Sequence, residues 1–271
     1  MLKVSQLHIY PIKSLAGISV RSAEVLEKGL KYDRRFMLVD MENRFLTIRE
    51  LPTMTRLQPK FEEDGIAVIS LDTKMDNLFI PFKTSKENME KVTIWNAEVL
   101  ASSVSPTADK WFSTVLGARV KLMQMPQKSM RPVDTTSGYK PADKFVSFAD
   151  AYPFMMMGEA SIADLNERHE GNQKLSVQRF RPNIVFSGGA PNQEDEIENF
   201  TINGVSFTGL ENCERCIIPN VNPENGKVDV LNEPLATLSK YRLQNRKIYF
   251  GRNLIHSGTG TIHVGDSLEL E

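Results

Sequence analysis

At 271 residues the chain is long enough to bury a substantial core, in one large domain or two smaller ones. Lys and Arg total 33 against 34 Asp and Glu, a formal net charge of -1, which argues against a nucleic-acid footprint or an electrostatically held membrane surface. No apolar run approaches the roughly 18–20 residues that span a bilayer. Met1 to Lys13 alternates polar and apolar residues without a signal-type core, so a cytoplasmic protein is expected.

Residues 2–10 and 36–40, rich in Leu, Val, Ile and aromatics, predict strands. Between them Pro11-Ile-Lys-Ser-Leu-Ala-Gly17 reads as a strand-ending loop. Further strands are expected over 65–71 and 91–100. A short helix is expected over 107–116, capped by Ser105 or Thr107, with Asp109 in its first turn. Residues 126–144, rich in Met, Pro, Ser, Thr and Lys, read as a long loop near a domain boundary. A helix over 160–168 follows, capped around Glu159 or Ser161, with Ile162 and Leu165 on one face. Strand signals return over 183–186, 200–207, 247–250 and 261–270. Strands outnumber helices, without the alternation of a doubly wound sheet.

Cys213 and Cys216 are the only cysteines, too close to close a useful loop as a disulfide and too few for a four-thiolate iron–sulfur cluster. A thioredoxin-type pair opens a helix, which Pro219 and Pro223 oppose here. Zinc needs four ligands, and His8, His169, His256 and His263 show no paired spacing. Incidental cysteines and a thiolate ligand for a soft or high-valent metal stay open as well. Basic residues flank several strands: Lys13 and Ser14, Asp33-Arg34-Arg35, and Arg179, Arg181 and Asn183. Singly these read as surface charge; together they could form an anion site in which guanidinium forks and a lysine meet phosphate. Met155-Met156-Met157 reads as core packing, and Glu194-Asp195-Glu196 as a solvated loop.

A series of segments in the second half resembles the MOSC family (molybdenum-cofactor sulfurase C-terminal type), in the branch of the mitochondrial amidoxime-reducing components and their bacterial relatives. They are Phe148-Ala-Asp150-Ala-Tyr-Pro153, Ser161-Ile-Ala-Asp-Leu-Asn166, Arg179-Phe-Arg181-Pro-Asn183-Ile, and Cys213-Glu-Arg215-Cys216. Asn222-Pro-Glu-Asn-Gly226, Glu233-Pro-Leu-Ala-Thr-Leu238, Phe250-Gly251-Arg-Asn253-Leu and Gly265-Asp266 continue it, and Tyr10-Pro-Ile-Lys13-Ser14 with Asp33-Arg34 extend it to the first half. The series is specific in its order, and no single motif is.

The resemblance implies an α+β, mostly β protein. An N-terminal MOSC-type β-barrel region (residues 1–125) would pack against a MOSC β-barrel domain (126–271), with early strands free to join the second barrel. It implies a molybdenum-molybdopterin cofactor with Cys216 as thiolate ligand on the metal and as the catalytic residue. Lys13, Ser14, Arg34, Arg181 and Asn183 would hold pterin and terminal phosphate, and Asp150, Ala151, Tyr152, Arg215 and Asn253 match further cofactor contacts. The implied activity is reduction of N-hydroxylated small molecules: amidoximes, hydroxylamines and N-oxides. Because the sequence ends soon after Gly265-Asp266, the iron–sulfur domain of some bacterial relatives is expected to be missing. Electrons would then come from a separate reductase, b-type cytochrome or ferredoxin-like carrier. Pro219-Asn220, where animal relatives have a threonine pair, and Asn253, where they have tyrosine, are departures near the expected substrate mouth. A non-catalytic cofactor carrier or sulfur-transfer module is the alternative, and a β-barrel binding domain with incidental cysteines is a third.

Overall fold

A computed structural model describes residues 1–83, 88–135 and 141–271. Its largest sheet has nine strands. In order across the sheet they are Glu269–Leu270, Asn199–Ile202, Val205–Glu214, Lys247–Ser257, Phe154–Gly158, Ile184–Ser187, Lys3–Ile9 and Ile18–Val20, with Leu243–Gln244 paired off this path to Lys247–Ser257. Pairing is antiparallel throughout except between Phe154–Gly158 and Ile184–Ser187, whose parallel register needs the crossover that contains helix Glu159–Arg168. The first strand, Lys3–Ile9, pairs with Ile184–Ser187 through Leu7 opposite Ile184, and Ser22–Leu26 pairs with Gly260–His263. The start of the chain is thus woven into sheets built by its far end. The middle of the chain adds a four-stranded sheet (Phe36–Val39, Lys121–Gln124, Ala97–Ser103, Met89–Ile94) and a three-stranded one (Leu57–Phe61, Gly65–Ser70, Leu78–Pro81). The architecture is mostly β, as expected. Among the described residues no helix is long and apolar enough to cross a membrane.

Helix Pro106–Leu116 forms where its signals stand: the Ser105 hydroxyl accepts from Ala108 N–H, and Gly117 ends it at φ 64°. Met155, Met156 and Met157 lie in strand Phe154–Gly158 and are buried in two apolar clusters. Several expectations change, and the strand over 261–270 is two strands in different sheets, Gly260–His263 and Glu269–Leu270. The strand over 91–100 is a hairpin, Met89–Ile94 and Ala97–Ser103, and the strand over 200–207 is likewise two strands, Asn199–Ile202 and Val205–Glu214. Two-residue turns, Trp95-Asn96 and Asn203-Gly204, reverse the chain inside runs that look continuous by composition. The second helix, Glu159–Arg168, is capped by Gly158, with no side-chain cap bond of its own.

Glu194 supplies what that cap lacks, and it does not lie in a solvated loop. It is fully buried, accepts from the Ser161 hydroxyl at 2.7 Å in the first turn, and lies against Gly158 at the helix start. A carboxylate suits the free N–H groups and positive end of a helix dipole, although burial pushes its own pKa up. Asp195 beside it is bonded to Arg242 at 2.6 Å. The long loop over 126–144 carries only an isolated bridge, Pro132 to Phe145, among its described residues, and 136–140 lie outside them.

Candidate functional site

Strand Lys3–Ile9 runs into Tyr10 and the loop that carries Lys13 and Ser14. The Lys13 ammonium is 6% exposed and donates to the Phe148 carbonyl at 2.9 Å and to Asp150 Oδ1 at 2.5 Å. Burial pulls the Lys13 pKa down, against Asp150, which raises it. The Asp150 carboxyl is held well below the usual carboxylate range: burial opposes ionisation, and the Lys13 charge and hydrogen bond outweigh it. Its side chain is 65% exposed, so water weakens the pair and it counts more for position than for stability.

Tyr10 is the pivot of the cationic wall. Two guanidinium groups, Arg34 and Arg181, lie over its ring, each with its central carbon 4.3 Å from the ring centroid. Arg34 donates to Asp33 at 2.6 Å, to Asn183 Oδ1 at 3.0 Å and to the Arg181 carbonyl at 3.2 Å. Asn183 in turn donates to the His8 carbonyl, which ties this wall back to the first strand. Burial pushes the Tyr10 hydroxyl up to about 12 against the two arginines, and pulls Arg181 down to about 10. The Arg181 Nη2 is buried without a hydrogen-bond partner among the described residues. Ser14, Arg34 and Arg181 all have positive φ (72°, 47° and 59°), a conformation uncommon for side-chain-bearing residues and concentrated at functional sites.

These groups face a cleft of about 240 Å3, just under the range of roughly 300–1,000 Å3 usual for small-molecule sites. Lys13, Ser14, Arg34, Asp150, Ala151, Tyr152, Arg181, Asn183, Arg215, Cys216 and Asn253 all line it, so the whole set read from the sequence converges. Cys216 stands exposed as a free thiol, just beyond strand Val205–Glu214; Cys213 is half-buried, and burial raises its thiol pKa. No helix opens after the pair: Ile218–Asn220 is a single tight turn around Pro219. Arg215 anchors the segment between the thiols by donating to the Phe250 and Phe180 carbonyls at 2.7 and 3.1 Å. Gly251, at φ 85°, leaves the space this needs, since a Cβ there would lie 3.0 Å from the Arg215 guanidinium. Tyr152 donates to Glu211 at 2.5 Å, and Glu211 pairs across the sheet with Asn253.

Several contributors were not read from the sequence as site residues. Thr47, Ile48 and Arg49 line the cleft from the middle of the chain, with Glu211 and Asn212 from strand Val205–Glu214. Arg131, 7% exposed, donates to the carbonyls of Ser147, Ala149 and Asp150 and so holds the segment that presents Asp150. Arg179, already a candidate among the basic residues that flank strands, lines the cleft and holds the thiol segment through the Pro219 carbonyl at 3.0 Å. No histidine is among the lining residues described, and among the described residues no His, Cys, Asp and Glu side chains gather into a group of three that could hold zinc.

The chain is mostly β, and its cleft brings cationic side chains together with two free thiols, Cys213 and Cys216. Residues 1–119 match the MOSC N-terminal beta barrel domain and residues 143–269 match the MOSC domain. The chain is 31% identical to human mitochondrial amidoxime-reducing component 1 over 98% of its own length and 82% of that protein. It is 31% identical to bovine mitochondrial amidoxime reducing component 2, over 97% and 81%. It is also 31% identical to the molybdenum cofactor sulfurase of Arabidopsis thaliana, over 92% of this chain and 32% of that protein. The chain belongs to the MOSC family, with both the N-terminal barrel and the MOSC domain.

Proposed function

We propose that this protein binds a molybdenum-molybdopterin cofactor in the cleft and reduces N-hydroxylated compounds, namely amidoximes, hydroxylamines and N-oxides, with electrons from a separate carrier protein. One observation carries the reading: an exposed thiol, Cys216, shares a small cleft with the half-buried Arg181, whose buried Nη2 has no partner among the described residues. A buried donor left open invites an acceptor from outside the chain, and the thiol is a donor suited to a soft or high-valent metal. The cofactor's phosphate and thiol-bound metal meet both demands.

In this reading Cys216 ligates the metal, and Lys13, Ser14, Arg34, Arg181 and Asn183 hold pterin and phosphate. Asp150, Ala151, Tyr152, Arg215 and Asn253 complete the walls. When bound, the cofactor supplies two-electron redox chemistry at the metal. The chain supplies orientation. Tyr10 fixes both guanidinium planes, so an anion meets donors that need no rearrangement. Asp150 holds the Lys13 ammonium, and Arg215 keeps the thiol segment from swinging away. Reduction of a hydroxylamine consumes two electrons and two protons, breaks the N–O bond, and yields amine and water. A cytoplasmic location and a reductase, b-type cytochrome or ferredoxin-like donor belong to the same reading; the relatives named for amidoxime reduction support the reaction class alone.

Elemental analysis of protein from a cofactor-competent host is expected to find stoichiometric molybdenum, with Cys216→Ala losing both metal and turnover of benzamidoxime. Full activity in that variant would refute the assignment. The sulfurase relative favours a second reading, a cofactor carrier or sulfur-transfer module without turnover. Retained cofactor with no reduction of benzamidoxime under a strong chemical reductant would select it.

A further inference from the structure

Trp95 sits at the first position of the two-residue turn joining Met89–Ile94 to Ala97–Ser103, where Ile94 pairs with Ala97. Its φ is 53°, in a turn slot that favours glycine. A bulky residue persists in such a conformation only where its surroundings hold it there. They do so here: the indole N–H donates to Asp150 Oδ1 at 3.1 Å, the carboxylate oxygen that also takes Lys13. The ring lies 5.0 Å from Phe45, tilted 55°, and the Arg49 guanidinium carbon stands 4.6 Å over it. Arg49 itself lines the cleft, and its nearest carboxylate, Glu50, is 3.9 Å away. The Trp95 residue nevertheless remains 45% exposed. A strained turn therefore leans a half-open indole against the cleft wall and fixes beside it the plane of a cleft-lining guanidinium.

We propose that Trp95 and Arg49 form a stacking shelf at the edge of the cleft that selects N-hydroxylated substrates carrying a flat aromatic group over aliphatic ones. This rests on the reductase reading and deepens it by naming the substrate class. Indole and guanidinium planes both stack on aromatic faces, and an aliphatic chain offers neither a π face nor the same rigid contact area. The shelf is separate from the wall of Arg34 and Arg181, whose guanidinium groups already lie over the Tyr10 ring.

Selectivity is read as kcat/KM for benzamidoxime divided by that for acetamidoxime, on cofactor-loaded enzyme. Trp95→Gly removes the ring and suits the backbone, so the fold is kept and selectivity is expected to fall by about three- to ten-fold. Trp95→Phe keeps a ring without the N–H and is expected to retain most of the preference. Unchanged selectivity in the glycine variant overturns the shelf; so does a phenylalanine variant as poor as the glycine one, which would assign the effect to the Asp150 hydrogen bond. A second measurement needs no turnover. The other tryptophan, Trp111, is 7% exposed, so benzamidoxime added without reductant should quench fluorescence saturably in the wild type and not in Trp95→Phe. No saturable quenching in the wild type overturns the proposal. Quenching with no reduction of either oxime under strong reductant would instead refute the reductase reading and leave the shelf standing.

Discussion

Lys13, Ser14 and Asn183 on the cationic wall are buried and tied into the sheet, whereas Cys216 and Ile217 on the thiol edge stand in solvent. The wall is built from groups that are costly to desolvate, held by anions, carbonyls or a ring, and the backbone at Ser14, Arg34 and Arg181 is strained into place. The thiol edge is an irregular segment anchored from beneath by Arg215 and Arg179. A phosphate site benefits from fixed, dry donors, because their field is already arranged when the anion arrives. A thiol that must meet a metal and a substrate needs access. One cleft therefore combines a rigid half and an open half.

The comparison breaks most readily at Asp33. This carboxylate is 1% exposed and accepts from Tyr10 N–H at 2.8 Å and from Arg34 at 2.6 Å. Asp33→Ala leaves a nearly buried guanidinium without its counter-charge, and a loss of about 3–5 kcal/mol is expected in denaturant unfolding. A loss below about 1 kcal/mol would mean the wall is not built around this pair.

Acid tests both halves at once. Burial pulls His8 down to about 4, and His256 as well, with Lys144 adding to the latter. Both folded pKa values lie below the unfolded value near 6.5, so in this window the unfolded chain binds more protons than the folded one. Stability is therefore expected to be flat above about pH 7 and to fall as pH drops from 6.5 toward 4, by up to about 3 kcal/mol per histidine. His8 supports the wall, since its carbonyl accepts from Asn183; His256 lies on the strand that carries Asn253. Unfolding curves of His8→Gln and His256→Gln across this range should each lose part of the slope. Two variants that keep the full slope would exclude these groups as its source.

The smallest effect is expected at Ile217. It is 60% exposed beside the thiol, so Ile217→Ser should shift stability by less than about 0.5 kcal/mol. A larger shift in thermal unfolding would show that this edge is packed rather than open.

Local chemistry made much of this legible. Lys13 and Ser14 follow a strand with a Pro before them, Arg181 precedes a Pro-Asn and a strand, and the prolines after Cys216 rule out a helix from composition alone. Arg49 and Arg131 carry no such local mark; one lines the cleft, and the other bonds to carbonyls 16 to 19 positions away. Glu194 looked solvated because an acidic run usually is, and only a helix start lying over it makes burial tolerable.

By itself the sequence determined some of the strands, such as Lys3–Ile9, Phe36–Val39, Gly65–Ser70 and Ile184–Ser187, which residues bear charge beside them, and that one of two neighbouring cysteines is followed by chain that cannot be helical. Those are matters of short-range sterics and of alternating polarity, which each segment carries wherever it lies. Tertiary structure alone decided that residue 13 and residue 150 share a hydrogen bond, that Tyr10 lies against two arginines, and that Trp95 rests on Arg49. Such contacts join positions far apart along the chain, and their strength comes from being held together out of water, a condition no single segment can express.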